Sequence, residues 1–365
     1  MTSELQTPKC SNCGGSLVFD PSSQALRCSQ CKTSAAFPSL PEGVALPTLA
    51  ELDYMTWTSN ALSDVVALEV RSLRCGSCGA TTTLPPNQTS GKCPFCRTPF
   101  VAEAVSQRAI RPQGVIPFAL DQTAAGQSFS KWVGKRWLAP RNLALSASGG
   151  KLTGIYVPWW TFDAHTTSDY EGTRGVDRTV TESHSVRDAE GNSHQESTTR
   201  IETDWYPASG TVQVPFDDLL VFAGGGVPAQ RATELDPWPW DLLVPFRDEL
   251  LLGFVSESYR VDLPAGFEAA GRQMEPRIRD EVESDIGGDH QRIKSLDTTY
   301  DAVTFKHLLL PVWLNVYQHK GKTFQVLVNG ATGEVRGERP YSPLKILALV
   351  VAILVTILLV VLLTR

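Results

Sequence analysis

Eight cysteines constrain this chain more than any other feature, because all eight fall in C-x-x-C pairs within the first hundred residues. The pairs are Cys10/Cys13, Cys28/Cys31, Cys75/Cys78 and Cys93/Cys96, and the remaining 265 residues have none. A disulfide framework scatters cysteines through a small secreted domain; paired spacing in one half of a 365-residue chain suits metal binding in a reducing compartment. In both sets fourteen residues separate the second cysteine from the third, and the two sets are offset by 65 residues throughout. The chain therefore carries two copies of one module.

A C-x-x-C pair in a tight turn can place two sulfurs on one ion, and two facing pairs complete a tetrahedral shell. Gly14 and Gly79 directly follow the first pair of each set, where a positive φ is useful. The expected cofactors are two Zn²⁺ ions, one held by Cys10, Cys13, Cys28 and Cys31 and one by Cys75, Cys78, Cys93 and Cys96. Four cysteines close the shell against water, so such a site is structural. Iron–sulfur clusters and redox dithiols also use paired cysteines, but the regular ribbon spacing argues against both.

At the other end, Ile346 to Leu363 is eighteen residues with Thr356 the only polar one. At ~1.5 Å rise per residue it spans roughly 27 Å, close to a bilayer core. A buried core helix is the alternative, but an uninterrupted apolar run is not amphipathic. Only Thr364 and Arg365 follow it, which reads as a tail anchor. Arg336, Arg339 and Lys345 precede it, against Arg365 beyond it, which places the N-terminal bulk in the cytoplasm. Met1 to Cys10 has no apolar region of the kind a signal peptide needs. The expected location is the inner (cell) membrane, single-pass.

The expected fold class is α+β: two small rubredoxin-like zinc ribbons at 8–37 and 71–103, a linker at 38–70, a β-rich α+β domain at 104–341 and a transmembrane helix at 344–363. A short helix is expected near Leu49 to Met55, and a strand at Val65 to Val70. Asp121 is placed to cap a helix running to about Trp137, with Pro140 as its stop. Gly154 to Asp163 reads as a strand. The polar stretch 172–204 reads as a solvated hairpin turning at Glu190-Gly191-Asn192, with disorder as the alternative. Val212 to Phe222 returns to strand, Ala265 to Asp285 reads as a charged helix ending at Gly287-Gly288, and Phe305 to Tyr317 and Thr323 to Asn329 form the last strands. Val157-Pro158-Trp159-Trp160 and Leu310-Pro311-Val312-Trp313 form a second, weaker repeat. Proline there favours an edge or a bulge, and the simplest role for Trp160 and Trp313 is as core anchors.

Catalytic patterns fail. Gly321-Lys322-Thr323 ends like a phosphate loop, but Val316 stands where the pattern needs glycine. No G-x-S-x-G, H-E-x-x-H or G-x-G-x-x-G occurs, and no cysteine is left over as a nucleophile. The six histidines lack metal spacing. A second metal or catalytic site at Asp285 to His290 is weighed against a helix end followed by a turn, the simpler account. The expectation is a protein without enzymatic activity. The net charge of −6 weakens a general nucleic-acid role. Locally both ribbons are mildly basic: Lys9, Arg27 and Lys32 in the first, Arg71, Arg74, Lys92 and Arg97 in the second. A tether for nucleic acid therefore stays open beside a protein-docking role.

The paired ribbons, Tyr156 to Asp163, Gly287 to His290, Leu309 to Trp313 and Val328 to Glu334 together resemble a bacterial family of double zinc-ribbon, single-pass membrane proteins. Its members are often labelled "primosomal protein N′, superfamily II helicase". A helicase needs a phosphate loop and a Mg²⁺ carboxylate, and this chain has neither pattern, so the label is rejected. Relatives of the family are associated with flotillin-like and phage-shock-type membrane proteins. The resemblance thus implies an adaptor that recruits cytoplasmic or membrane-associated proteins to the membrane in envelope stress.

Overall fold

The computed structural model describes residues 8–37, 49–59, 67–83, 90–101, 105–136, 152–187, 193–319, 322–338 and 342–364. Most of the expected linker, Trp137 and Pro140, the Glu190-Gly191-Asn192 turn, Lys320-Gly321 and the charges Arg339 and Arg365 lie outside those residues.

The first cysteine module is a three-stranded sheet, β1 (Leu17–Asp20), β2 (Ala25–Cys28) and β3 (Ser34–Ala35). Leu17, Phe19 and Leu26 are buried, while Val18, Asp20, Ala25 and Arg27 beside them are more exposed, the alternation of a half-buried sheet. After it, β4 (Leu52–Asp53) leads into α1 (Tyr54–Thr58). This helix starts later than the sequence suggested: Leu52 and Asp53 pair with Phe305 and Thr304, and the Asp53 carboxylate then caps Thr56 N at 2.6 Å. The second module contains β5 (Ala67–Arg74), β6 (Thr81–Thr83), β7 (Ser90–Lys92), β8 (Pro99–Val101) and β9 (Val105–Ile110). Its β5–β9 ladder runs from Ala67 to Ile110, so pairing extends past 71–103 on both sides.

The rest is a mixed sheet built on four antiparallel strands in the order β12–β11–β15–β16. In chain order the elements are β10 (Gly114–Val115), α2 (Gln122–Gly134), β11 (Thr153–Arg187), β12 (Ser193–Phe222), α3 (Ala229–Thr233), β13 (Val244–Pro245), β14 (Val255–Ser256), α4 (Leu263–Ile286), β15 (His290–His319), β16 (Lys322–Asn329) and β17 (Val335–Gly337). A last helix, α5 (Pro343–Leu363), follows. The class is α+β, as the sequence implied.

The P-x-W repeat is the visible trace of a duplication of the whole body. The sequence helix–long strand–return strand occurs twice, as α2–β11–β12 and as α4–β15–β16, and β11 and β15 pair at the centre. Equivalent backbone bonds recur. Gly330 N donates to Pro311 O and Ala223 N to Pro158 O; Ala119 N and Leu120 N share Gly330 O, as Arg260 N and Val261 N share Ala223 O. Asp121 and Asp262 cap the two helices through Ala124 N and Ala265 N. The Trp313 indole donates to Leu120 O at 3.0 Å and the Trp160 indole to Val261 O at 2.9 Å. Each tryptophan thus fastens the lead-in of the helix from the other half. Each also meets an aromatic there, Phe118 at 5.0 Å and Tyr259 at 5.1 Å. The halves differ in polarity at some buried positions: Ile116 in the first half corresponds to Glu257 in the second. Burial pushes the Glu257 carboxyl up to about 7, although Gly225 N and Gly226 N donate to it.

Both prolines lie on the two central strands, not on edges. Each sits where one flanking strand ends: β12 pairs with β11 from Trp159 onward, and β16 pairs with β15 from Val312 onward. The missing N–H therefore falls outside the ladder, which is how a proline is tolerated there.

Within the stretch 172–204, the described residues 172–187 and 193–204 form a β-ladder. Register is continuous from Ala164↔Phe216 to Arg187↔Ser193, and β15 accompanies it as far as Gly175↔His290. Past that point β11 and β12 continue as a pair for roughly 40 Å at ~3.3 Å per residue. Charges line this arm: Arg178 to Glu202 and Asp204 and Arg200 to Glu182 across the two strands, and Arg200 to Glu202 along β12, all at 2.6–2.9 Å. Helix α4 packs its buried stripe, including Met274, Ile278, Val282 and Ile286, on Val212, Val214, Phe216 and Tyr170. Gly266 lets it approach: a Cβ there would lie 2.8 Å from the Trp160 ring.

If the two indole anchors are equivalent, Trp160→Phe and Trp313→Phe should destabilise the body alike, by about 1 kcal/mol for the hydrogen bond each loses to a half-buried segment. Thermal melts of the two variants check this; a loss confined to one of them would contradict the equivalence.

Candidate metal centres

The four C-x-x-C pairs close in one way. The N–H of each pair's first cysteine donates to the carbonyl five residues on, and its carbonyl accepts from the N–H four residues on. The partners are Gly15 and Gly14, Thr33 and Lys32, Ala80 and Gly79, Thr98 and Arg97. That fourth residue has positive φ in all four turns: 70° at Gly14, 61° at Lys32, 75° at Gly79 and 63° at Arg97. Glycine adopts this readily. Lys32 and Arg97 hold it at a cost and place a cation beside each cysteine set.

The turns face each other in pairs. Sγ of Cys10 lies 3.6 Å from that of Cys31, and Cys13 lies 3.4 Å from Cys28. In the second module Cys75–Cys96 is 3.6 Å and Cys78–Cys93 is 3.7 Å. Each set of four keeps its sulfurs within 4.8 Å of one another. Four ligands at ~2.3 Å from a tetrahedral Zn²⁺ stand about 3.8 Å apart, and a disulfide would need about 2.05 Å. The spacing fits a metal shell, and each set could hold an ion such as zinc. All eight sequence-singled cysteines are brought together, four and four.

Burial differs between inner and outer ligands. Cys10, Cys28, Cys75 and Cys93 are buried; Cys13 and Cys31 are exposed, and Cys78 and Cys96 are half-buried. The side-chain and backbone hydrogen bonds of Thr33 bring Cys31 down to about 5. Burial opposes ionisation of Cys96, yet the equivalent bonds of Thr98 bring it down to about 6. Burial and neighbouring thiols push Cys78 up. Each set therefore pairs a ready thiolate, Cys31 or Cys96, with one thiol held in its neutral form, Cys13 or Cys78, that a cation would help to ionise.

Thr33 and Thr98 were not singled out from the sequence, and they matter here. Their hydroxyls lie 3.2 Å from Cys31 Sγ and Cys96 Sγ. The signal was present: Cys28-Ser-Gln-Cys-Lys-Thr33 and Cys93-Pro-Phe-Cys-Arg-Thr98 share a basic residue and a threonine at the same places.

Both modules are seated on the body. Phe19 N donates to Leu252 O at 2.9 Å, and the Gln24 amide donates to Phe118 O at 2.8 Å. In the second module Thr82 bridges Glu257, the Thr83 hydroxyl donates to Ser256 O, and the Gln325 amide donates to Phe95 O. Phe95, between Cys93 and Cys96, is fully buried.

The Asp285 to His290 string serves the fold. Gly287 and Gly288 turn with φ of 66° and 78°, and Gly287 N caps Glu283 O. The Asp285 carboxylate accepts from the Tyr170 hydroxyl, Asp289 accepts from Asp177 N, and the His290 ring meets Asp177 at 3.2 Å. Among the described residues no metal-like group of ligands forms there.

Helix α5 offers 19 residues, Lys345–Leu363, long and apolar enough to cross a membrane, and it is exposed rather than packed into the body.

Fold and sites together define a protein with two four-cysteine modules on a duplicated sheet, and with an apolar C-terminal helix that could anchor it. The chain is similar to a Bacillus subtilis (strain 168) protein described as "Uncharacterized protein YdjG", at 24% identity over 349 residues, covering 93% of this chain and 92% of that one. No family model matches the chain, and no solved structure matches it.

Removing one outer hydroxyl should loosen the metal without unfolding the module. Thr98→Val is expected to lower metal affinity about 10-fold, within the range for outer-shell partners, read by competition with a chromogenic chelator. Unchanged affinity would remove Thr98 from the site.

Proposed function

We propose that the protein is a tail-anchored adaptor: each four-cysteine set holds a structural Zn²⁺, α5 spans the cell membrane, and the cytoplasmic body recruits proteins to the membrane surface without catalysing a reaction. The observation that carries this reading is a body bearing two four-cysteine sets of metal-like spacing, followed in the chain by an exposed apolar helix. Zinc is favoured by all-thiolate shells of tetrahedral spacing. A non-enzymatic role is supported by closed shells, which leave no position for water, and by Lys322-Thr323, which open strand β16 where a phosphate loop would open a helix. Cytoplasmic placement is supported by the reduced thiols the sites require and by basic residues before the anchor.

The partners implied are cytoplasmic or membrane-associated proteins, of the flotillin-like or phage-shock type that the family resemblance suggests. The solvated arm and the outer faces of the modules are the surfaces available to them. A nucleic-acid tether rests on the basic residues of the ribbons, and in the first ribbon Arg27 is already engaged by Asp20 at 3.3 Å.

The test is a detergent-solubilised pull-down of the tagged full chain, with and without nuclease, beside Cys75→Ser/Cys93→Ser. Specific proteins that survive nuclease and are lost in the variant are the expected result. Nucleic acid as the module-dependent cargo, with all proteins vanishing on nuclease treatment, would replace the adaptor with the tether.

A further inference from the structure

Three arginines from three separate elements converge where the chain leaves the body for α5. Arg136 follows the last turn of α2, Arg231 lies on α3 and Arg336 lies on β17; together they line an open cavity of about 520 Å³. Trp132 and Phe324 form its apolar wall, and Glu338 is the one carboxylate among the described lining residues. The Arg136 guanidinium lies 3.8 Å over the Trp132 ring and donates to Trp132 O at 2.8 Å, so it is held flat. Trp132 is itself only 8% exposed, and its indole N–H has no acceptor among the described residues.

Arg231 and Arg336 are held by carboxylates of their own elements, Glu234 at 2.9 Å and Glu334. All four side chains are at least a third exposed or close to it, and ion pairs of that kind are worth only ~0–1 kcal/mol. An incoming anion can therefore share or replace those carboxylates at little cost. Planar guanidinium forks match the oxygens of a phosphate better than a point charge does.

Position supplies the ligand. Glu338 lines the cavity, and α5 begins at Pro343. Five residues of chain reach at most about 17 Å, so Glu338, on the lining of the cradle, lies within that distance of the start of α5. Basic pockets with aromatic walls at that depth meet lipid headgroups before they meet anything else. A smaller cavity of about 220 Å³ shares Arg231 and Glu338 and is lined by Cys78 and Cys96, so the second metal module sits beside the same surface.

We propose that this cradle binds the phosphate of an anionic phospholipid headgroup, and so clamps the body and its second metal module against the bilayer. The proposal rests on the membrane-anchor reading. A soluble phosphate ester has the same chemistry, and the experiment separates the two sources. The full chain in neutral detergent is titrated calorimetrically with short-chain phosphatidylglycerol, with phosphatidylcholine of the same chains, and with glycerol phosphate. Phosphatidylglycerol is expected to bind at least about tenfold more tightly than phosphatidylcholine, a difference of ~1.4 kcal/mol, and more tightly than glycerol phosphate. Arg231→Gln/Arg336→Gln is expected to abolish that preference with metal content unchanged. Equal affinity for the two lipids, or a preference that survives in the double variant, would overturn the proposal. Glycerol phosphate binding as tightly as the lipid would overturn the headgroup assignment. The wild-type comparison decides even where the double variant fails to fold. Alkaline carbonate extraction of wild-type membranes tests the anchor separately: release of the protein would sink the anchor while the detergent titration still reads the cradle.

Discussion

The antiparallel ladder between β11 and β15 is the contact on which everything else is hung. It runs from Thr153↔Leu314 to Gly175↔His290, and each half of the duplicated body contributes one strand to it. The tryptophan of each strand reaches across to hold the helix lead-in of the other half, so neither half can close its own core. The lead-ins fixed in this way, at 116–121 and 254–261, are also the segments on which the metal modules sit: the first on Phe118 and Phe254, the second on Ser256 and Glu257. Placement of the modules thus follows from pairing at the centre of the sheet.

The modules are too small to fold on their hydrophobic cores alone. Leu17, Phe19 and Leu26 are the main apolar burial of the first, and much of that is completed by Phe254 and Phe37. In such units metal binding supplies much of the folding free energy. The body contributes the remainder through backbone bonds such as Phe19 N to Leu252 O. The result is a pair of fixed modules rather than modules swinging on a linker.

Much of this was legible in the sequence, and the reasons for the rest are physical. The two four-cysteine clusters were readable because thiolate geometry permits few spacings. The Asp121 cap and the apolar C-terminal helix were readable because local rules fix them. The duplication was visible at Pro158/Trp160 and Pro311/Trp313; beyond these and the capping pair Asp121/Asp262 it is carried by backbone bonds, which leave no residue signature. Substitution had also erased it where Ile116 of the first half corresponds to Glu257 of the second. The short helix was misplaced because Leu52 and Asp53 are drawn into pairing with β15, a partner far along the chain at Thr304 and Phe305. The Arg136–Arg231–Arg336 cradle could not be read at all: its members are widely separated in the chain and share no pattern until the fold assembles them. Thr33 and Thr98, by contrast, stood in plain register with the cysteine repeat.

The central claim is that two all-cysteine sites each hold one zinc ion, and elemental analysis of the purified full chain tests it most directly. Protein prepared without added metal and measured by mass spectrometry of its elements should carry two equivalents of zinc per chain, falling to one in Cys75→Ser/Cys93→Ser. One equivalent or fewer in the wild type, or iron in place of zinc with visible charge-transfer absorption, would contradict the account.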